Sequence, residues 1–345
     1  MRKPKVGIVI LNWNGWKDTL ECLESLLCSD WDNYKIIVCD NASSDGSIDR
    51  IIAWADCHLD APLPQTKSLR TLRRAKPTPV SYTLIHKSNL TETRAYDEKL
   101  ILIQNGSNLG FAAGCNSGLA FAMSQDCDYF WLLNNDTIVT PTTLARMVEH
   151  TEANSKRGNN VTCGSVQLYY EDPNLVQAYG GMSYNPVTGI ATAGIGDSTL
   201  LTNSYRQADV IPKLDAIQGC SWLLPRAFLE DIGLMDERYF LYYEEMDWSY
   251  RSRDKYALTY AENAYVYHKK GASIGSKTKV NAPSLIAVYH LNRSKIIFTK
   301  KFCPWYLPSV YLAALAQAVN FIRKQQPKQC IALLKSLFGL NLNAN

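Results

Sequence analysis

Short apolar runs alternate with helix-spaced apolar residues along the N-terminal part of the chain. Residues 6–11 and 34–39 are runs rich in Val and Ile, whereas residues 16–28 between them place leucines at the spacing of one helix face. The pattern continues with a helix at 47–55, a strand at 100–104, a helix at 112–124 and a strand at 129–133. Such alternation predicts an α/β fold, in which a mostly parallel sheet carries helices on both faces.

The rest of the chain is less regular. Residues 56–98 are rich in Pro, Ser, Thr and basic residues, which predicts a long surface insertion with one small strand at Tyr82–His86. Further predicted elements are a helix from Pro141 to about Glu152, short strands and turns over 161–224, a helix over 244–255 and a strand pair near 258–268. We therefore divide the chain into a main domain over 1–268 and a helical tail over 269–345.

Charge separates the two parts. The net charge of the 345-residue chain is +4, but residues 269–345 hold 12 Lys and Arg and no Asp or Glu, which leaves 24 basic and 32 acidic residues before them. Apolar and aromatic residues are interleaved with these charges. This pattern favours helices that lie on a membrane surface over a nucleic-acid-binding arm, with a solvated face as the alternative.

The longest apolar stretch of the tail, residues 305–322, is interrupted by polar residues and by Pro308. It falls short of a membrane-spanning helix, so we expect peripheral contact at most. The ten cysteines form no Cys-x-x-Cys pair, which predicts reduced thiols in a cytosolic protein. Residues 6–11 are too short an apolar run for a secretion signal and predict a buried first strand.

Small, polar or acidic residues follow each of the four main predicted strands. Ligands bind at the carboxyl ends of strands in an open parallel sheet, so we predict that these residues bind one. They are Asn12, Asn14, Asp40, Ser43, Asp45, Asn108, Gly110, Asn116, Asn134 and Asn135. Capping and turn formation explain any single loop, but four in succession favour a site.

Two of these loops suggest a nucleotide. The Asp40 carboxylate can accept a hydrogen bond from a nucleobase N–H, and Gly110 and Gly114 would let a helix begin close to a phosphate. Neither loop matches Gly-x-Gly-x-x-Gly or a P-loop, which argues against a dinucleotide or a triphosphate held in those ways.

Asp136 ends the strand at 129–133 and is the predicted ligand of a divalent cation that bridges a diphosphate. Mg²⁺ and Mn²⁺ take carboxylate and phosphate oxygens, and one protein carboxylate is often enough. The alternative is that Asp136 caps the following helix, for which Thr140 is better placed.

Taken in order, residues 6–14, 40–47, 108–116 and 132–137 resemble the family-2 glycosyltransferases of the GT-A fold, especially the rhamnosyltransferase-like branch of cell-surface polysaccharide synthesis. The resemblance continues through the segments 219–226, 233–240 and 243–248 and spans roughly residues 6–268 without the insertion. It implies a Rossmann-like nucleotide-binding half fused to an acceptor-binding half. The set of motifs is specific, although each motif alone is weak.

The resemblance also assigns roles to residues. The Asp-x-Asp metal motif of the family falls on Asn134-Asn135-Asp136, so Asp136 is the main carboxylate ligand. Asp40 takes the place of the nucleobase-binding aspartate. His268 stands where members of the family place a metal-binding histidine, although a lone histidine after a strand is more often structural.

The catalytic base is expected in the acidic segment after residue 243. The family usually shows Glu-Asp where this chain has Glu244-Glu245, and the second residue is the base. Glu245 is one methylene longer than expected, so Asp247 remains a second candidate. A solvated helix start, where acidic residues are favoured, would explain all three without catalysis.

The acceptor side is expected to include Trp222 and Glu244. Tyr239, Tyr242 and Tyr243 are further aromatic candidates, because sugar rings have apolar faces. For each aromatic residue, packing in the core is an equally good explanation.

The predicted activity is inverting transfer of a sugar, with rhamnose expected, from a dTDP- or UDP-sugar to a glycan or lipid-linked glycan. A carboxylate base and a Mg²⁺ or Mn²⁺ ion suffice for this displacement. We expect the enzyme at the cytoplasmic face of the cell membrane, with no nucleic-acid partner. The alternatives are a nucleotidyltransferase, which would need a charged Gly-rich loop in place of Asn12-Trp13-Asn14-Gly15, and a non-catalytic glycan-binding protein.

Overall fold

The computed structural model describes residues 2–75, 78–90, 94–193, 199–201, 214–269 and 283–342. Its strands are β1 Val6–Asn12, β2 Tyr34–Asp40, β3 Tyr82–His86, β4 Leu100–Gln104, β5 Tyr129–Asn134, β6 Thr137–Val139, β7 Val161–Tyr169, β8 Leu175–Tyr179, β9 Gly181–Asn185, β10 Ile190–Ala193, β11 Thr199–Leu200, β12 Ala216–Ile217, β13 Ser221–Pro225 and β14 Ala257–His268. Its α-helices are α1 Trp16–Leu26, α2 Ser47–Ala55, α3 Gly110–Ser124, α4 Thr143–Ser155, α5 Arg226–Ile232, α6 Glu244–Ser252, α7 Leu285–Phe302, α8 Leu307–Arg323 and α9 Pro327–Phe338.

A central sheet follows the order β11-β8-β7-β13-β5-β1-β2-β4-β3. The strands from β5 to β3 are parallel, β13 runs antiparallel to β5, and β14 pairs with both β7 and β6. A small second sheet has the order β10-β9-β12. The predicted α/β class with a mostly parallel central sheet and a helical C-terminal region is confirmed.

Helices cover both faces of this sheet because alternate residues of each buried strand point to opposite sides. Ile8 and Ile10 of β1 pack with α1, α2 and α4, whereas Val9 between them packs with α3, α5 and α6. The two faces therefore form separate apolar cores. The buried strands carry continuous Val and Ile runs, as expected when both faces are covered.

The predicted order of elements needs two corrections. The strand pair near 258–268 is the single strand β14, whose register against β7 shifts between Ala261 and Tyr265. The shift breaks the alternating pattern, which made one strand look like two. Helix α5 was not predicted, because its seven residues are too short for a clear helical period.

The insertion over 56–98 is anchored to the main domain. Its strand β3 extends the sheet as a parallel edge strand beside β4. Arg74 forms an ion pair of 2.9 Å with the buried carboxylate of Glu24, which also accepts a hydrogen bond from Trp54. Burial would raise the pKa of Glu24, but these two hydrogen bonds lower it.

The helical tail packs on the main domain through α7. Phe298 lies in an aromatic cluster with Tyr184, Tyr243 and Tyr250, and Ser294 donates a hydrogen bond of 2.8 Å to the carbonyl of Leu241. Helices α8 and α9 complete a separate apolar core with α7. Among the described residues, no helix is both long and apolar enough to cross a bilayer.

Candidate active site

The strand ends that the sequence singled out meet at one edge of the sheet. Asn12 and Asp40 are register partners at the ends of β1 and β2, and Leu11 is the partner of Asn134 on β5. Parallel pairing thus brings the first, second and fourth polar loops side by side.

Asp40 is held rigidly in this edge. Its Oδ1 accepts hydrogen bonds of 2.7 Å from Asn12 and 2.6 Å from the hydroxyl of Ser43, and its Oδ2 accepts one of 2.9 Å from the Ser43 N–H. The side chain is buried. Because a carboxylate oxygen accepts two hydrogen bonds, Oδ2 retains capacity for one further donor, such as a nucleobase N–H.

Asn14 fastens the first loop to the second. Its backbone lies in the left-handed region at a φ of 51°, its N–H donates to Ser43 Oγ, and its Oδ1 accepts from the Ser44 N–H. Asp45, in contrast, accepts hydrogen bonds from the N–H and hydroxyl of Ser47, the first residue of α2. The donor-binding prediction for Asp45 is thereby corrected to a role at the helix start.

The third loop packs against protein at the point where a phosphate was expected. Gly110 has a φ of 81°, and a Cβ there would lie 2.3 Å from the carbonyl oxygen of Phe240. The N–H of Phe111 donates to that same oxygen at 2.7 Å. Gly110 is therefore required for close packing of the 240 loop, and this corrects its predicted role.

Asn41 joins the second and third loops and was missed by the sequence reasoning. Its side chain donates to the Gly110 carbonyl at 2.9 Å and to Asn108 Oδ1 at 3.4 Å, and it accepts from Asn105 at 2.8 Å. Asn108 thus joins the network of the strand-end loops, and its binding of the donor stays a prediction. The only sequence signal for Asn41 was its position beside Asp40.

Two other predicted donor-binding residues serve the fold. Asn116 is buried and exchanges hydrogen bonds with the backbone of Met235, so it fixes the segment before α6. Asn135 is buried and donates to Thr19 Oγ1 at 3.1 Å, beneath the first loop. The Asn116 amide is thus satisfied at both its nitrogen and its oxygen, whereas Asn135 uses its nitrogen to fasten the first loop.

Asp136 and His268 meet as the resemblance implied. Asp136 Oδ1 lies 3.3 Å from His268 Nε2, and both side chains are buried. Burial would raise the pKa of Asp136, but the neighbouring His268 lowers it below its usual value. Strand β14 delivers the histidine, since His268 is the register partner of Thr137 in β6.

Gln177 orients this histidine, and no sequence signal pointed to it. The register of β8 against β7 passes from Ala178 to Val176, so Gln177 is the extra residue of a bulge. Its Oε1 lies 2.7 Å from His268 Nδ1. Since Oε1 only accepts, it takes a hydrogen bond from the Nδ1 side of the ring and so orients the imidazole with Nε2 toward Asp136.

The residues at this edge fit a divalent cation. The 3.3 Å between Asp136 Oδ1 and His268 Nε2 is near the ~3 Å expected for adjacent ligands with bonds of roughly 2.1 Å to one octahedral ion. Asn134 Oδ1 is buried without a hydrogen-bond partner in the described structure. No group of three or more His, Cys, Asp or Glu side chains converges among the described residues. A cation would therefore take its remaining ligands from a diphosphate and water.

At the start of α6, Glu244 is buried, Glu245 is half-buried, and the Oε2 atom of each carboxyl is buried, which overturns the solvated-helix explanation. Burial and then the neighbouring Glu245 raise the pKa of Glu244 well above its usual range. Burial also raises the pKa of Glu245, although the hydrogen bond from Glu244 acts against it. The two carboxyl groups therefore lie within hydrogen-bonding reach of each other, and burial favours the neutral form of both. The Oε2 atom of each carboxyl has no hydrogen-bond partner within the described structure.

The carboxyl pair lies beside the metal-fitting edge. Glu245 packs on Gly219, and the adjacent Cys220 carbonyl accepts a 3.0 Å hydrogen bond from the Asn134 N–H. Burial raises the pKa of the Cys220 thiol, and the charges of Asp136 and Glu245 raise it further, because both carboxylates are near it.

Asp247, the second candidate base, is engaged in the fold. It is fully buried and contacts Arg251 at 2.8 Å, Lys301 at 2.6 Å and the hydroxyl of Tyr239 at 3.1 Å. These three partners already occupy both oxygens of the carboxylate. The structure therefore favours Glu245 and corrects the prediction for Asp247.

Most of the proposed acceptor-side aromatics are core residues. Trp222 is fully buried against Phe228 and Trp248, Tyr239 is fully buried, and the hydroxyl of Tyr243 donates to the Gly189 carbonyl. For Trp222, Tyr239 and Tyr243 core packing is the correct explanation.

Lys269, directly after His268, forms ion pairs with Asp18 at 2.6 Å and with Glu21 at 3.0 Å. Its Nζ lies 4.7 Å from the ring centroid of Tyr170. The neighbouring Lys270 lies outside the described residues. The described part of this segment thus offers no unpaired cation to a phosphate.

The sequence model of one family, described as Glycosyl transferase family 2, matches residues 7–75 and 87–233, which is more than half of the chain. The match includes the strand-end loops and Asp136. It ends before Glu244 and His268, whose roles therefore depend on the geometry described above. No curated protein matches the sequence.

Two solved structures share the fold. The mannosyltransferase PcManGT from Pyrobaculum calidifontis, in complex with GDP-Man and Mn²⁺, is 14% identical, with 99% of this chain and 89% of that chain covered at a TM-score of 0.51. GalNAc-T7 with UDP, GalNAc and Mn²⁺ is 12% identical, with 89% of this chain and 50% of that chain covered at a TM-score of 0.56. At these identities the likeness shows the GT-A fold alone.

Proposed function

Because the chain belongs to glycosyl transferase family 2, we propose that it is an inverting, metal-dependent glycosyltransferase that moves a hexose from a nucleotide-diphosphate sugar to an acceptor hydroxyl. One observation carries the proposal. Glu244 and Glu245 each present a carboxyl oxygen that has no hydrogen-bond partner among the described residues, beside the segment that holds Asn134 and Asp136.

Glu245 is the proposed base. Its Oε2 accepts the acceptor proton while the acceptor oxygen forms a bond to the anomeric carbon. The bond from that carbon to the diphosphate oxygen breaks on the opposite face, and its electron pair leaves with the nucleotide diphosphate. A raised pKa suits this role, because a base works best when its pKa lies nearer the working pH.

Asp136 and His268 would hold the cation, with Asn134 as an accessory oxygen donor. When bound, a Mg²⁺ or Mn²⁺ ion stabilises the charge that develops on the leaving diphosphate. Because only two protein side chains would bind the cation, we expect weak metal binding in the absence of the nucleotide-sugar donor. The Mn²⁺ in the two similar structures supports this assignment.

Asp40 is the proposed acceptor of a nucleobase N–H, with Asn12, Asn14 and Ser43 fixing its loop. The imide N–H of uracil or thymine fits a carboxylate oxygen, so we propose a UDP- or dTDP-sugar donor. From the branch that the motifs resemble, we further propose rhamnose as the sugar, a glycan or lipid-linked glycan as the acceptor, and cell-surface polysaccharide synthesis at the cytoplasmic face of the membrane.

A thermal-shift panel with UDP, dTDP and GDP, each with and without Mn²⁺, tests this function. We expect a nucleotide diphosphate to raise the melting temperature, and Mn²⁺ to increase the shift in the wild type but not in Asp136→Ala. No stabilisation by any nucleotide would contradict the proposal and favour a glycan-binding protein. Release of pyrophosphate from a nucleoside triphosphate and a sugar phosphate would indicate a nucleotidyltransferase.

A further inference from the structure

Helix α8 has an apolar face that nothing in the described structure covers. Leu312, Leu315, Val319 and Ile322 recur at the spacing of one helix face and are all exposed, Leu312 by 67% and Ile322 by 63%. The opposite face of α8, with Val310, Ala314, Ala318 and Phe321, is buried against α7 and α9. The exposed stripe is therefore not needed for the fold of the tail.

The apolar surface continues beyond α8. Trp305, just before the helix, is 92% exposed, and Tyr306 beside it is also exposed. Ser309 in the first turn donates a hydrogen bond of 2.7 Å to the carbonyl of Val187, which lies in the turn between β9 and β10 and is 50% exposed. We call the exposed stripe of α8, Trp305 and this turn the docking face.

The charges of the tail are all positive. Arg323 and Lys324 at the C-terminal end of α8 and Lys328 in the first turn of α9 are exposed, and residues 269–345 contain no Asp or Glu. An apolar helix face with exposed Trp and with cations at its rim matches the boundary between acyl chains and anionic headgroups.

We propose that the docking face binds the surface of an anionic lipid bilayer, with α8 lying in the membrane plane. No described helix can cross a bilayer, so the binding is peripheral. Pairing of two copies through the same face is disfavoured, because Arg323, Lys324 and Lys328 would find no carboxylate in the tail of the second copy.

The docking face connects to the start of α6. The turn between β9 and β10 also contains Gly189, whose carbonyl accepts the hydroxyl of Tyr243, the residue directly before Glu244. From the other side, Lys301 of α7 holds Asp247 in α6. A bilayer at the docking face would therefore bring lipid-borne acceptors to the Glu245 side of the protein. This last step rests on the proposed function, whereas membrane binding itself does not.

Flotation of the full chain with vesicles tests the proposal. We expect binding to phosphatidylcholine vesicles that contain phosphatidylglycerol, and at least tenfold weaker binding to pure phosphatidylcholine. Leu312→Ser combined with Leu315→Ser and Val319→Ser should weaken binding at least tenfold through lost apolar burial. Lys324→Ala combined with Lys328→Ala should weaken vesicle binding about fivefold for each lost charge at low ionic strength. Leu63→Ser, at an exposed position of the insertion, is the matched control and should bind as wild type.

Circular dichroism and the nucleotide thermal shift establish that each variant is folded. Absence of binding to anionic vesicles, or equal binding by the triple-serine variant, would overturn the proposal. So would a dimer in light scattering that dissociates in the triple-serine variant, because the face would then bind a second copy. Failure of all sugar transfer, with vesicle binding intact, would instead count against the proposed function alone.

Discussion

The donor-side loops and the start of α6 lie close together but are built differently. Around Asp40, each loop satisfies the polar groups of the next, and the network consists of short hydrogen bonds between neighbouring strand ends. At Glu244 and Glu245, carboxyl oxygens are buried without partners and both pKa values are raised.

Backbone geometry does not separate the two regions. Tyr242 and Tyr243 precede Glu244 with φ values of 67° and 68°, and Asn14 and Ala42 in the donor-side loops have φ values of 51° and 55°. Such a conformation costs non-glycine residues on the order of 1–3 kcal/mol each. The difference between the regions therefore lies in their polar groups: the donor side is assembled for rigidity, whereas the base side stores unfavourable burial that chemistry can use.

The largest effect is expected from Glu245→Gln. Removal of the base should lower the transfer rate by roughly 10²–10⁴-fold and leave nucleotide binding unchanged, because the donor-side network is separate. Transfer rates and calorimetric affinities for UDP or dTDP measure the two effects. Glu149→Gln, at an exposed surface position, is the control, and full activity of Glu245→Gln would remove this residue from the mechanism.

Asp40→Asn should instead weaken nucleotide binding and leave the catalytic base intact. Loss of a charged acceptor costs about 1.5–3 kcal/mol, so nucleotide affinity should fall roughly tenfold to a hundredfold while the base stays in place. Asp45→Asn retains an oxygen for Ser47 and should bind nucleotide as wild type. Equal losses in the two variants, measured by calorimetry, would contradict the assignment of Asp40 to the nucleobase.

Gln177→Leu tests whether Gln177 orients His268 for metal binding. Without an acceptor at Nδ1, His268 loses its fixed orientation, and Mn²⁺ affinity in the presence of nucleotide should fall about 10–100-fold. Electron paramagnetic resonance of free Mn²⁺ measures this directly. Gln167→Leu, on the adjacent strand, removes an amide that has no partner in the described structure and should leave the affinity unchanged.

The smallest effect concerns the pH profile. Only the deprotonated form of Glu245 accepts a proton, so kcat/KM should rise with pH through the raised pKa of this residue. Glu244→Leu removes the hydrogen bond that lowers the pKa of Glu245. The pKa of Glu245 should then rise further, and the acid limb of the kcat/KM profile should move to higher pH. Glu244→Gln keeps an N–H donor and should move it less. If both variants showed the same pH profile as the wild type, a hydrogen bond between Glu244 and Glu245 would be excluded.

The sequence predicted well what depends on neighbouring residues. The bounds of α2, β3 and β4 and the convergence of Asn12, Asp40 and Asn134 follow from local periodicity and from the rule for parallel strand ends. The carboxyl pair and the Asp136–His268 contact came from the resemblance.

What the sequence did not reveal depends on contacts between distant segments. Gln177 reaches His268 through a bulge, and Gly110 meets Phe240 across about 130 residues of chain. Asp247 looked like a candidate base until Lys301 of the tail was found beside it. No local pattern records such partners, because they exist only once the sheet and tail have packed.

The packing of α7 also bears on the boundary at residue 268. A chain that stopped there would lose Lys301 from Asp247, Phe298 from its aromatic cluster and Ser294 from Leu241. The helix that carries the base would then begin on an uncovered apolar surface with an under-neutralised buried charge. Helix α7 is thus structurally part of the main domain, and truncation at residue 268 is expected to lower the stability of that domain.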